Sequence, residues 1–226
     1  MKADFWHERW EKGEIGFHQH DFNRHMQDFI KRLEIRPGAH ILVPLCGKSL
    51  DMLWLAEQGY RVTGIELSPL AAEGFFVENG LSFVLEDRSG NKIYRGNHVE
   101  ILCQDFFAVH RSALPRIEAV YDRASLIALP PDVRPAYAAH LTRLVDRGVR
   151  SLLVTLEYPQ DQMSGPPFSV SAAEVATLFS AHWNIEPLHA EDCLANEPRF
   201  QKKGLTRLQE RVFILQKGKG TADAME

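Results

Sequence analysis

The sequence predicts an α/β fold, a mostly parallel sheet with helices packed on both faces. Three observations carry that prediction. A continuous apolar run, Ile41-Leu42-Val43, reads as a strand buried on both faces, and it passes through Pro44-Leu45-Cys46-Gly47-Lys48 into a helix starting near Ser49. A second strand at residues 61–67 follows Gly59 and leads into Ser68-Pro69, with serine as helix cap and proline in the first turn. Strand, helix, strand, helix at these lengths is a βαβ unit, so the strands run parallel and the crossover is right-handed.

Each element can be justified in turn. Residues 1–20 hold Phe5, Trp6, Trp10 and Phe17, too many large aromatics for a disordered tail. Trp6 and Trp10 are spaced i, i+4 and share one face of a short helix. This segment is either a staple that packs the terminus on the core or a lid over a ligand. Phe22, Met26, Phe29, Ile30 and Leu33 follow helical period, and Pro37-Gly38 ends that helix before the strand at 40–46. Asp51 falls in the first turn of the next helix, where a carboxylate suits the helix dipole. The helix after Pro69 carries Leu70, Phe75, Phe76 and Val77 and closes at Asn79-Gly80.

Residues 81–97 interrupt the alternation with turn clusters around short apolar pieces, which predicts an inserted hairpin. Strands follow at 99–103, ending at Gln104-Asp105, and at 117–121, ending at Asp122-Arg123. Pro130-Pro131-Asp132 is expected to cap a helix whose apolar face is Tyr137, Leu141, Leu144 and Val145. After a strand at 151–158 come the stiff loop Gly165-Pro166-Pro167-Phe168 and a capping box, Ser171 with Glu174, opening a helix that bears Val175, Leu178 and Phe179. Strands at 184–188 and 212–216 complete the set. One domain is expected over residues 1–226: an N-terminal lid segment at 1–38, the α/β core at 39–217, and a frayed tail at 218–226 without an apolar anchor.

Composition narrows the class. At 226 residues the chain can bury one sizeable core without requiring a second, and its apolar and charged fractions, 45% and 25%, are ordinary for a globular domain. No apolar run reaches the length of a membrane span, and the first residues form no signal-peptide core, which predicts a cytoplasmic protein with no membrane contact. Cys46, Cys103 and Cys193 are odd in number and sit in apolar sequence, as reduced core thiols do. A net charge of −4 argues against a nucleic-acid partner, and Lys202-Lys203 with Arg199 and Arg207 reads as a solvated face. His18, His20 and His25 have no matched cysteine or acid, so no metal is expected.

In such folds ligands bind at the carboxyl ends of the strands, where the turn after the first strand lies. A dinucleotide would require several glycines there; this turn has only Gly47. Gly47-Lys48-Ser49 matches the tail of a phosphate-binding loop, but the upstream position that such a loop gives to glycine is Leu42. Glu66 ends the second strand about twenty residues beyond the glycine turn, the position that bonds a ribose in related folds. Its alternative role is a partner for the helix start at Ser68-Pro69. A nucleoside without phosphates points to S-adenosylmethionine.

The motifs Trp6-x-x-x-Trp10, Gly13, Phe17-His18-Gln19, Pro44-Leu45-Cys46-Gly47-Lys48, Gly64-Ile65-Glu66, Asp122-Arg123 and Gly165-Pro166-Pro167-Phe168, in that order, resemble the thiopurine S-methyltransferase family of bacterial type. The resemblance implies a class I methyltransferase with a seven-stranded sheet whose last strand is antiparallel. It implies methyl transfer from S-adenosylmethionine to a thiol on a heteroaromatic ring, leaving S-adenosylhomocysteine, with selenium and tellurium compounds as further acceptors. Carried over residue by residue, it assigns Trp10, Leu45, Glu66 and Arg123 to the cofactor, with Gly47 as backbone surface beside it. Trp6 and Phe17 belong to the covering segment, and Gln104 and Asp105 to the adenine side. Arg199 falls near the acceptor.

Chemistry adds expectations of its own. A ring thiol ionises readily, so positioning outweighs general-base catalysis, and no nucleophile–base pair stands out. Arg123 is expected to bond the cofactor carboxylate, to stabilise the acceptor thiolate, or both; a salt bridge to Asp122 or Glu66 is the alternative. Phe17, Pro167 and Phe168 are expected to wall an apolar acceptor slot, which discriminates weakly between similar rings. A monomer acting on a small molecule is predicted. A nicotinamide oxidoreductase, disfavoured by the missing glycines, and a non-catalytic adenosine-ligand sensor are the competing functions.

Overall fold

The computed structural model describes residues 3–14, 18–19, 21–88 and 90–218. Phe17 and all of the predicted tail beyond residue 218 lie outside them. The chain divides into two compact units, the first ending at Tyr121 and the second beginning at Asp122.

The first unit opens with α1 (Ala3–Glu11), on which Trp6 and Trp10 are half-buried. Next, α2 (Arg24–Phe29) continues as a 3₁₀ turn, Ile30–Leu33. Asn23 caps α2 by accepting the Met26 N–H at 3.0 Å, and Met26, Ile30 and Leu33 are the buried stripe that the periodicity predicts. β1 (His40–Val43) runs through the turn at 44–50 into α3 (Asp51–Glu57). The helix begins two residues later than Ser49, because the Ser49 hydroxyl and carbonyl close the preceding turn onto Asp51 and Met52. β2 (Arg61–Glu66) leads to α4 (Pro69–Glu78), capped by the Ser68 hydroxyl on the Ala71 N–H. Apolar residues fall around the whole of this helix, so sequence alone misassigns part of its face: Ala71, Ala72, Phe75 and Phe76 are buried, whereas Leu70 and Val77 are exposed.

β3 (Val84–Arg88) and β4 (Asn91–Gly96) form the predicted hairpin, and β5 (Val99–Cys103) and β6 (Ala119–Arg123) follow. The strand order is β3-β4-β5-β2-β1-β6. β5, β2, β1 and β6 pair parallel, as the βαβ reading requires. The hairpin belongs to the sheet: β4 pairs antiparallel with β5 through Lys92↔Cys103 to Gly96↔Val99. Nine strands are therefore present among the described residues where seven are expected, the hairpin accounting for the other two.

The second unit starts with a short helix that sequence alone misses, α5 (Ser125–Ala128), reached through Ala124 at φ +70°. α6 (Arg134–Leu144) begins after the Pro130-Pro131 turn, not within it; the Val133 N–H bonds the Pro130 carbonyl and no side chain caps the helix. β7 (Arg150–Glu157), α7 (Ala172–Phe179), β8 (Trp183–Asp192), α8 (Pro198–Gln201) and β9 (Gln209–Lys217) follow. β9 lies between β7 and β8, antiparallel to both, so the last strand has the expected sense. Ser171 caps α7 as predicted, but the Glu174 carboxylate of the box is bonded to Arg134. No helix among the described residues is long and apolar enough to cross a membrane.

Candidate functional site

In the first unit the turn after β1 is held from three sides. Its backbone takes left-handed conformations at Leu45 and Gly47, φ +45° and +53°. Leucine pays a steric cost there that glycine avoids. The Cys46 N–H extends the β1–β2 pairing by bonding the Ile65 carbonyl at 3.0 Å. The Gly47 N–H then donates to Glu66 Oε2 at 2.8 Å, while the Ser68 N–H donates to Oε1 at 2.8 Å. Glu66 thus joins the turn to the start of α4, serving the helix-start role weighed for it while remaining at the strand end. It is buried, and burial pushes its carboxyl pKa up, opposed by the N–H groups of Ser68, Gly47 and Leu67.

Gly47 has a second constraint. A Cβ built on it would lie 3.3 Å from the Trp10 ring, so α1 packs its indole directly against the turn. Lys48 reaches across α4 to Glu78, with Nζ 2.6 and 2.7 Å from the two carboxylate oxygens and 6.0 Å from the Trp10 ring centre. A Cβ on Gly64 would stand 2.7 Å from Cys46 Sγ, so β2 can pass beneath the turn only as glycine. Cys46 itself is a buried thiol whose pKa burial raises well above the ordinary value, which suits packing and not nucleophilic chemistry. At the end of β5, the Gln104 N–H bonds the Glu66 carbonyl at 2.9 Å, and Asp105 turns to cap a 3₁₀ helix through the Phe107 N–H. The structure therefore brings Trp10, Leu45, Gly47, Glu66 and Gln104 together. Trp6 lies a turn earlier on α1, edge-on to Phe5 at 5.2 Å.

Asp51 does more than complement a dipole. Fully buried, it accepts the Asn23 N–H and the Tyr121 hydroxyl, each at 2.8 Å. One carboxylate thereby ties the start of α3 to the start of α2 and to Tyr121 in the middle of β6.

In the second unit, Arg123 is half-buried at the end of β6. Its neighbour Asp122 is buried, accepts the Tyr137 hydroxyl at 2.7 Å, and has its pKa pushed up to about 6 by burial, against the pull of Tyr137 and Ser125. The 165–168 loop is anchored at Pro167 and Phe168, and again just beyond it at Ser169. The Tyr158 hydroxyl donates to the Pro167 carbonyl at 2.5 Å, and the Phe168 N–H to the Ile127 carbonyl at 2.7 Å. Gln160 accepts the Ser169 N–H at 2.9 Å. Arg199, on α8, is exposed, paired with Glu197 at 3.1 Å and stacked on Phe200 at 4.7 Å. Arg207 of the same basic stretch pairs with Glu157, as does Arg211 on β9.

A family model described as thiopurine S-methyltransferase matches residues 1–218. A thiopurine S-methyltransferase of Nitrosospira multiformis is 46% identical over 217 residues, covering 95% of this chain and 98% of its own. One from Pseudomonas fluorescens Pf0-1 is 47% identical over 213 residues, covering 94% and 98%. The chain belongs to the thiopurine S-methyltransferase family. Solved structures place the fold more widely. A 1,6-didemethyltoxoflavin-N1-methyltransferase from Burkholderia thailandensis superposes with a TM-score of 0.65 at 19% identity, covering 96% of this chain and 87% of its own. A methyltransferase from Anabaena variabilis gives 0.65 at 14%, covering 95% and 94%. The fold is thus that of the class I methyltransferases, as the resemblance implies.

Within this thiopurine S-methyltransferase family member, sequence reasoning misses two site-building residues. Asp51 reads only as a first-turn carboxylate suited to the helix dipole until Tyr121 and Asn23 are seen beside it. Arg134 follows a proline turn like any solvated arginine, yet it is 1% exposed. Neither leaves a signal in a single sequence, because each acts through partners distant along the chain.

Proposed function

We propose that this chain transfers the methyl group of S-adenosylmethionine to the sulfur of aromatic and heterocyclic thiols, thiopurines among them, leaving S-adenosylhomocysteine. One observation carries the cofactor assignment: the Glu66 carboxylate, buried at the carboxyl end of β2, accepts one backbone N–H on each oxygen. Each oxygen retains lone-pair capacity, which suits the paired hydroxyls of a ribose. The turn beside it offers a single glycine and no nest for a pyrophosphate, so a phosphate-free nucleoside fits it better than a dinucleotide. Leu45, Gly47, Gln104 and Asp105 are assigned to the same ligand, with Trp6 and Trp10 covering it.

When bound, the cofactor supplies a methyl group on a positively charged sulfur. Trp10, fixed against Gly47, offers that charge an aromatic face, worth about 0.5–2 kcal/mol. Arg123 is assigned both to the cofactor carboxylate and to the acceptor thiolate, whose charge it steadies until transfer. A ring thiol gives up its proton to solvent readily, so no strong base is needed, and the thiolate attacking a sulfonium cancels two charges. Holding the reactants in line supplies up to about 7–11 kcal/mol in favourable cases. Pro167 and Phe168 are assigned to an apolar acceptor slot, supported by the dense anchoring of their loop; Phe17 and Arg199 complete the acceptor set. The same displacement extends to selenium and tellurium anions. The family match crosses both units, which supports reading the chain as one methyltransferase domain.

Radiolabelled methyl transfer to a panel of thiopurines and other aromatic thiols, beside calorimetric titration with S-adenosylhomocysteine and NAD, tests this function. Turnover of several thiols with S-adenosylhomocysteine binding is expected. Binding without turnover would make the protein a sensor, and NAD binding alone would overturn the cofactor assignment.

A further inference from the structure

Arg134, a charged side chain of the second unit, is 1% exposed, and its contacts converge on the segments that flank two proposed site residues. Its Nε donates to the Leu126 carbonyl at 3.1 Å and the Leu129 carbonyl at 2.9 Å, closing the end of α5, the helix that directly follows Arg123. Its Nη1 donates to the Ser169 carbonyl at 3.1 Å and to Glu174 Oε1 at 2.5 Å. The guanidinium carbon lies 5.8 Å from the centre of the Phe168 ring. The Phe168 N–H donates to the Ile127 carbonyl, so the two segments gripped by Arg134 also bond each other directly. Burying a guanidinium is costly unless it is both paired and hydrogen-bonded. Here one ion fastens three carbonyls on two loops, and only its forked geometry can reach them together.

We propose that Arg134 is a positioning residue for the methyl acceptor: it locks the segment after Arg123 and the loop bearing Phe168 into one arrangement, and thereby sets how well acceptor thiols are held. This rests on the assignment of Phe168 to the acceptor slot. The chemistry selects the substitution that reveals it. Lysine at 134 keeps a charge for Glu174 but carries a single ammonium, which has no fork to span Leu126, Leu129 and Ser169. The fold then keeps its buried ion pair while the two loops lose their common fastener. Misplacing a positioning group by about 1 Å can cost up to ~100-fold in rate.

The test uses the full chain with R134K, F168A and the double variant. For each, S-adenosylhomocysteine affinity is measured by calorimetry, the folded fraction by thermal unfolding, and KM and kcat on several aromatic thiols. With R134K, acceptor KM is expected to rise about tenfold or more while cofactor affinity stays within about twofold, and the double variant to lose less than the two single losses combined. Unchanged acceptor KM in R134K beside a raised KM in F168A would overturn the inference alone. Unchanged acceptor KM in F168A would remove Phe168 from the slot and the inference with it. Parallel loss of cofactor affinity, acceptor affinity and folded fraction in R134K would reduce Arg134 to a stability residue. E174Q, which keeps the guanidinium and its carbonyl bonds, is expected to retain acceptor KM; a loss equal to that of R134K would assign the effect to the ion pair instead.

Discussion

Glu66 and Gly47 are joined by one hydrogen bond of 2.8 Å, from the glycine N–H to the carboxylate. That bond places the proposed ribose-binding group and the cofactor turn in a fixed relation before any ligand arrives. Preorganisation of this kind lowers the ordering cost of binding.

Replacing Glu66 separates the two tasks of this carboxylate. Glu66→Ala leaves the Gly47 and Ser68 N–H groups without their acceptor, which should lower stability by about 1–3 kcal/mol. Cofactor affinity should fall by a similar ~1–3 kcal/mol, the range for charge-assisted hydrogen bonds. Glu66→Gln keeps the volume but presents an NH2 group to one of two N–H donors, so it should resemble the alanine variant and not the wild type. Calorimetry with S-adenosylhomocysteine and chemical unfolding measure the two losses; unchanged affinity would take Glu66 out of the site.

Asp122 predicts a pH dependence of stability. Its pKa is about 6 in the folded protein, against an ordinary 3.8. Between those values the folded state holds a proton that the unfolded state has released, so stability falls as pH rises through that window. The difference corresponds to about 3 kcal/mol lost by pH 7, with the full benefit regained only below pH 4. Asp122→Asn, neutral throughout and still able to accept the Tyr137 hydroxyl, should flatten that part of the profile. Unfolding temperature measured from pH 4 to 7 in both proteins checks the sign; a wild-type profile that rises across the window would contradict it.

Asp51 and Tyr121 should behave as a coupled pair. Tyr121→Phe removes one hydrogen bond to a buried carboxylate and should cost about 1.5–3 kcal/mol. Asp51→Ala also strands the Asn23 N–H and should cost more, about 3–4 kcal/mol. Because the variants share one bond, the double variant should lose less than the sum. Urea unfolding of the three proteins measures the coupling, and strict additivity would mean that the two groups are held independently.

Much of this architecture was legible in the residues. The β1 turn, Ser68-Pro69 as a helix start, and Gly59 and Gly80 as terminators all follow from local chemistry that one stretch of chain contains, whereas the sense of the last strand was implied by the family resemblance alone. Glu66 was legible as a strand-end acid and as a partner for the helix start at Ser68, but its bond from the Gly47 N–H, nineteen residues upstream, was not. The exposed side of α4 stayed hidden because its apolar residues, Leu70 and Val77 included, fall around the whole helix and leave no clear period to read. Arg134, Asp51 and the Lys48–Glu78 pair were hidden for the opposite reason: polar residues look solvated until the fold brings their partners to them.

Gly47 is held to glycine by two separate constraints, which makes its substitution the sharpest probe of the N-terminal helix. At φ +53° any β-carbon strains the backbone, at a cost of about 1–2 kcal/mol. The same carbon would press to 3.3 Å on the Trp10 ring, tighter than ordinary packing. The indole can give only by moving α1 or by turning away from Lys48, whose Nζ lies 6.0 Å from the ring. Gly47→Ala should therefore shift the tryptophan emission and lower cofactor affinity beyond what the backbone strain explains. Trp10→Ala in the Gly47→Ala background separates the causes. Removing the ring relieves the contact but not the strain, so the stability lost on Gly47→Ala should be smaller in that background. An equal loss with and without Trp10 would show that backbone strain alone determines the effect and that the indole does not bear on the turn.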